Sequence, residues 1–155
     1  MEDRAASVLA WSLGHLELPR HDMTVTPEDV LRPLEFMSVA GAKRIVGSAR
    51  LRTDDELYHG YNLLWQIHWR LVEYRVNASH VDLRAMEKRH EWWGHLDVPS
   101  DALSRDGDLL VDGHPLTKAD ARKIAVCSSI AVERHRAVNW VIGSENPYSA
   151  ISTDT

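Results

Sequence analysis

Cysteine is almost absent from this chain, and other features are missing with it. Cys127 is the single cysteine among 155 residues, so no disulfide can form within the chain, which fits a reducing compartment. No apolar run approaches the roughly 18 residues that a membrane-spanning helix needs, and residues 1–16 lack the pattern of a signal peptide. We therefore expect a cytoplasmic protein without membrane contact, in which Cys127 is an inert buried thiol.

Positive charge and known catalytic motifs are also scarce. Lys and Arg number 18 against 23 Asp and Glu, the net charge is −5, and no basic run occurs, so no nucleic acid partner is expected. The chain has no Walker loop, no dinucleotide fingerprint and no serine-hydrolase elbow. His90 and His95 resemble a zinc-protease pair, but their spacing separates them by about 140° on a helix. We therefore expect neither a metal nor a cofactor.

What is present predicts a mainly α-helical fold. The length suits a single domain over residues 1–155. We predict a helical bundle with a central helix at about 54–77, one small β-hairpin at about 108–116 and a last long helix at about 118–142. Thr53 and Thr117 are the expected N-caps, Asp112-Gly113 is a typical hairpin turn, and Gly143 ends the last helix.

The remaining segments give weaker signals. We predict helices at 4–18, after the N-cap Thr26, and at 80–95, whereas 38–50 is expected to be a strand or irregular. Six tryptophans against one phenylalanine indicate large rigid side chains in a core or a pocket. The central helix is apolar on most sides, and only a narrow arc is predicted to stay polar: Asn62, Gln66, Arg70 and Glu73, with His59.

The segment 131–140, AVERHRAVNW, concentrates polar side chains in what should be a core helix. At 100° per residue, Arg134 lies near the centre of the apolar face, with Glu133 and His135 on opposite flanks. A buried arginine requires partners, which could be backbone carbonyls or a carboxylate such as Asp154, Glu56 or the terminal carboxylate. Arg134 either forms a buried ion pair that fixes the packing of two helices, or it binds an anionic ligand.

His68 raises the same choice on the central helix. It falls within the apolar stripe and is expected to be buried. It is then either a hydrogen-bonded core residue or, if it meets Glu133 and His135, part of a metal or acid–base set.

Several segments resemble a bacterial family known as domain of unknown function 4272. The similarity rests on Leu51-Arg52-Thr53 with Glu56, on His68-Trp69, on residues 133–140 and on the closing Asp154-Thr155. The resemblance implies a mainly helical fold and no established reaction. It also implies that His68-Trp69, residues 133–140 and Asp154 lie in one place.

Two functional hypotheses follow. In the first, the chain is a non-catalytic accessory domain that binds a protein partner or a small anionic ligand, and a homodimer is a further expectation. Its expected ligand-binding residues are Arg134, Asn139, Trp69, Trp140 and Asp154. In the alternative, it is an enzyme or metalloprotein that uses His68, Glu133 and His135 as ligands or acid–base groups.

Overall fold

A computed structural model describes residues 2–32, 34, 38–89, 94–143 and 145–155. The chain there is mainly α-helical, with one two-stranded hairpin ahead of the last long helix, which confirms the predicted fold class. The helices are α1 (Glu2–Ser12), α2 (Pro27–Leu31), α3 (Val39–Ser48), α4 (Asp54–Val76), α5 (Leu83–Arg89) and α6 (Ala121–Val141), and the strands are β1 (Leu110–Val111) and β2 (His114–Pro115).

The central helix α4 begins where the sequence predicts. The Thr53 side chain accepts from the backbone N–H of Glu56, and the Glu56 carboxylate accepts in return from the Thr53 N–H at 2.9 Å. This reciprocal capping box satisfies two amide groups that a helix start otherwise leaves unpaired. The helix ends at Val76, one residue before the predicted limit.

The last helix α6 starts later than predicted. Asp120, not Thr117, is its N-cap, and the Asp120 carboxylate accepts from the backbone N–H groups of Arg122 and Lys123. Thr117 lies instead in a short 3-10 turn, Leu116–Lys118. An ionised carboxylate can accept from two amides and favours the positive end of the helix dipole, which explains why Asp120 replaces Thr117.

The hairpin forms at the predicted dipeptide. Leu110 pairs with Pro115 and Val111 with His114, while Asp112 and Gly113 have φ values of 52° and 77°. Two successive residues with positive φ are what a tight two-residue hairpin turn requires. The hairpin is attached to the N-terminal part of the chain, because His21 Nε2 donates to the Leu110 carbonyl at 2.6 Å.

Other predicted boundaries were wrong. Helix α1 ends at Ser12 rather than at 18, because Gly14 adopts φ 73° and the His15 N–H returns to the Ala10 carbonyl, which is a Schellman stop. Residues 39–48 form a helix, because Ser38 caps the Gly41 N–H. Helix α5 begins at Leu83 rather than at 80, and Gly94 and His95 at the predicted end are not helical. Residues 90–93 of the predicted helix lie outside the described residues.

The core lies where α4 and α1 both pack against α6. The buried residues at one end of α6 include Ile67, Leu71, Leu103, Leu109, Leu116, Cys127 and Ala131, and those at the other end include Val8, Trp11, Leu57, Leu64, Ala137 and Val138. Cys127 is buried as predicted, and burial raises the pKa of its thiol to about 12. Trp11 is buried, whereas Trp140 is 40% exposed. Within the described ranges, no helix has both the length and the apolar character needed to cross a bilayer.

Candidate functional site

Two histidines meet inside the core between α4 and α6. His68 and His135 are 4% and 1% exposed, and their Nδ1 atoms lie 2.9 Å apart. Two ring nitrogens at this distance form a hydrogen bond only if one carries a proton and the other offers its lone pair. The pair therefore excludes the state in which both rings are imidazolium, since both Nδ1 atoms would then be donors.

Burial keeps this histidine pair uncharged at neutral pH. Burial, followed by the charge of Arg75, lowers the pKa of His68. Burial, followed by the proximity of His68, lowers the pKa of His135 to about 4. The neutral pair already holds one proton between the two Nδ1 atoms, so a further proton binds the Nε2 lone pair of the donating ring and can be given up again from there.

His68 also lines a cavity of about 360 Å³ between α4, α6 and the residues after α6. Apolar walls come from Leu71, Val72 and Val132. Polar groups come from Arg75 and Ser128, and the chain segment 153–155 adds Asp154 and two threonines. His68 and Asp154, which the sequence resemblance grouped together, thus border the same space, whereas His135 supports His68 from the core side.

Arg75 is the cation of this cavity. Its side chain is exposed, and no carboxylate of the described residues lies within ion-pair distance of it. Asp154 is exposed too, and its carboxylate forms no ion pair with the described residues. The cavity therefore presents an available cation, an available carboxylate and a neutral imidazole around an apolar wall.

The chain after α6 is fixed in place as one wall of this cavity. Asn139 Nδ2 donates to the Ser152 carbonyl at 3.0 Å, and Ile151 is buried. Asn139, which was predicted to bind a ligand, thus positions the segment that carries Asp154. Trp140 meets Tyr148 edge to face, with ring centroids 6.2 Å apart. Trp69 is half-buried and packs on the core near Ile67 and Leu71.

Glu133 does not join the histidine pair. Its carboxylate accepts from Arg136 Nη1 at 2.8 Å and lies 3.5 Å from the Tyr148 hydroxyl. His68 and His135 instead contact each other, because Glu133 and His135 leave α6 on opposite flanks. In the part of the chain that the structure describes, no three His, Cys, Asp or Glu side chains are arranged to hold a metal ion.

Arg134 is buried as the helical wheel predicts, and it is 1% exposed. Its partners are backbone carbonyls: Nη1 donates to Pro19 and Arg20 at 2.9 Å each, and Nη2 donates to Met23 at 3.1 Å. The carboxylates suggested from the sequence are not its partners; the Glu56 carboxylate contacts Arg52 and Thr53. Burial lowers the pKa of Arg134 to about 10, so the side chain keeps its charge at neutral pH.

The sequence prediction missed a second buried charge. Arg70, placed on the polar arc of the central helix, is fully buried, and its Nε and Nη2 donate to both oxygens of Asp108 at 2.7 and 2.8 Å. Gln66 is buried as well, where its amide bridges the His95 carbonyl and the Asp97 N–H. Residues 95–108 cover Gln66 and Arg70, so the middle of an arc that is polar in sequence is buried, while Asn62 and Glu73 are half-buried and His59 is exposed.

Comparison with models of protein families, with curated proteins and with solved structures finds no match for this chain.

Proposed function

We propose that this protein is a non-catalytic binding domain whose cavity between α4 and α6 takes a small organic anion. The observation that carries the proposal is the cavity of about 360 Å³ that places the available guanidinium of Arg75 beside the neutral imidazole of His68. Such a combination of an apolar wall with a few convergent polar groups is typical of small-ligand sites.

The lining indicates the chemistry of the ligand. Arg75 suits a carboxylate or phosphate, with which a guanidinium forms two parallel hydrogen bonds. Asp154 and Ser128 suit hydroxyl groups, since both accept hydrogen bonds. A volume of 360 Å³ equals roughly twelve water molecules at about 30 Å³ each, so the fitting ligand has about a dozen non-hydrogen atoms.

Binding is tested by calorimetry and thermal shift with gluconate, citrate and ribose 5-phosphate, with glucose as the uncharged comparison. We expect at least one anion to bind, and Arg75→Met to weaken it about tenfold, the effect of losing one charge-assisted contact. Arg122→Met, an exposed arginine on α6 outside the cavity lining, is the matched control and should leave the affinity unchanged. Equal affinities of the Arg75 and Arg122 variants would refute the proposal.

A catalytic function is the alternative, and the contact between His68 and His135 favours it. His68 borders the cavity, and when its Nδ1 donates to His135 its Nε2 keeps a free lone pair, which can accept a proton as a general base does. In this alternative, Glu133 is not part of the acid–base set. The two hypotheses are separated by mass spectrometry of the bound anion after incubation, because a binding domain returns it unchanged. His135→Gln should abolish any conversion while the anion still binds.

Membership of the family known as domain of unknown function 4272 and a protein partner stay predictions. The accessory role predicted from the sequence is the reason to expect a protein partner. Size-exclusion chromatography with light scattering tests the expected homodimer, which a single monomeric species would contradict.

A further inference from the structure

The two ring nitrogens of His68 face different surroundings. Its Nδ1 lies 2.9 Å from the Nδ1 of the buried His135 and is therefore turned to the core. Its Nε2 makes no hydrogen bond with the described residues, and it is not among their fully enclosed polar atoms that lack a partner. Nε2 is therefore in contact with solvent. Because His68 is 4% exposed and lines the cavity of about 360 Å³, that solvent is the solvent of the cavity.

The contact with His135 prepares His68 to hold a proton at Nε2. Protonated there, His68 is an imidazolium with two N–H groups. Its Nδ1–H donates to the Nδ1 lone pair of His135, so only the Nε2–H needs a new acceptor, which the cavity can receive. Without such an acceptor, burial disfavours the charge and is the first cause that lowers the pKa of His68.

The charges that face His68 favour its protonation when an anion enters the cavity. After burial, the charge of Arg75 on α4 is the next cause that lowers the pKa of His68. Asp154, from the segment after α6, lines the same cavity and acts in the opposite direction. From α6 the neutral His135 faces His68, and Tyr61 of α4 lies beyond it, with ring centroids 6.0 Å from those of His135. An anion on Arg75 offsets the repulsive charge and offers an oxygen to the Nε2–H.

We propose that the cavity takes up its anion together with one proton, which binds Nε2 of His68. This inference rests on the proposed binding of an anion beside Arg75. Linkage is reciprocal, so an anion that favours the proton binds more tightly where protons are more abundant. An average uptake of about half a proton over about two pH units changes the dissociation constant about tenfold. We therefore expect about tenfold tighter binding near pH 6 than near pH 8.

The test is calorimetry of the full chain with gluconate near pH 6.5, in several buffers that differ in ionisation enthalpy. The slope of the observed enthalpy against the buffer ionisation enthalpy counts the protons that are taken up. Gluconate is the first probe because its carboxyl, like others, is ionised above about pH 5, whereas a phosphate titrates near pH 6. We expect an uptake of about half a proton or more per anion.

The outcomes separate this inference from the proposed function. An anion that binds without proton uptake would overturn the inference and leave the proposed function standing. Failure of gluconate, citrate and ribose 5-phosphate to bind would overturn both. If citrate or ribose 5-phosphate binds in place of gluconate, the count is the difference between the wild type and His68→Gln, because these anions add protons of their own.

The His68→Gln variant identifies the group that takes up the proton. Glutamine keeps an amide that can pair with His135, but it does not titrate. We expect this variant to bind gluconate without proton uptake and equally well near pH 6 and pH 8. His114→Gln, which replaces an exposed histidine outside the cavity lining, is the matched control and should keep the uptake of the wild type. Uptake that persists in His68→Gln would assign the proton to another group, such as Asp154, and would overturn the proposal.

A measurement on the wild type alone decides the question if His68→Gln does not fold. Long-range proton–nitrogen NMR spectra distinguish the neutral tautomers of a histidine ring from the imidazolium. Saturation near pH 6.5 with gluconate, or with whichever of the three anions binds, should convert His68 from the neutral ring to the imidazolium. A His68 ring that stays neutral in the saturated protein would overturn the proposal.

Discussion

Acid should destabilise this protein through the buried pair of His68 and His135. In the unfolded chain both imidazoles have the ordinary pKa of 6.5, whereas in the fold burial lowers the pKa of each. Below pH 6.5 the unfolded state therefore binds more protons than the native state. The contribution of the histidine pair to the free energy of unfolding is therefore fully present above pH 6.5, and it is lost as the pH falls toward the native pKa.

The size of the effect follows from the pKa of His135. Its decrease from 6.5 to about 4, at roughly 1.4 kcal/mol per pH unit, gives a loss of about 3 kcal/mol between these pH values. His68 adds to the loss in the same direction. Against a typical total of about 5–15 kcal/mol, this is a large fraction. Burial works against the ionised form of Asp22, but hydrogen bonds, first from Arg20, bring the pKa of that carboxyl to about 2, so Asp22 contributes only below pH 3.8.

Urea unfolding between about pH 7.5 and 4.5 measures this loss in the wild type and in His135→Gln. Glutamine keeps a polar group that can pair with His68 but does not titrate. We expect the wild type to lose about 2 kcal/mol more than the variant over this range, because the native pKa of His135 lies near its acid end. Parallel curves for the two proteins would refute both the linkage and the burial of an ionisable pair.

Two further predictions concern packing. Asp108→Asn should lower the free energy of unfolding by about 3–5 kcal/mol, because Arg70 would keep a buried charge without its partner; a loss below about 1 kcal/mol in urea unfolding would contradict this. Gly60→Ala should cost about 1–3 kcal/mol, because the added Cβ would overlap the Trp11 indole. The matched control Gly47→Ala, with nothing within 4 Å of its added Cβ, should instead gain about 0.5 kcal/mol of helix stability.

The apolar period of α6 was enough to predict that Arg134 is buried, but it could not identify its partners. The three carbonyls belong to Pro19, Arg20 and Met23, and a backbone carbonyl has no signature in a sequence. Likewise, the positions of His68 and His135 on their helices could be predicted separately. Their contact depends on how α4 and α6 cross, which the period of neither helix determines.

The burial of Gln66 and Arg70 shows the other limit of periodicity. Their arc on α4 is polar and was predicted to stay so, yet residues 95–108 pack over it and supply Asp108. The available signal was that α4 is apolar on most other sides, which is typical of a helix enclosed all round. A buried polar side chain on such a helix must find a partner in a distant loop, and for Arg70 that partner is Asp108, two residues before β1.

The bonds from Arg134 to residues 19–23 have a consequence for how the chain folds. They join residues 111 to 115 positions apart, and closing a loop of that length costs about 4 kcal/mol of chain entropy. The hydrogen bond between Asp22 and the Asp112 amide spans 90 positions. We expect residues 19–23 to dock after the folding transition state. Removing the Asp22 carboxylate should therefore speed unfolding and leave the folding rate unchanged in a chevron plot.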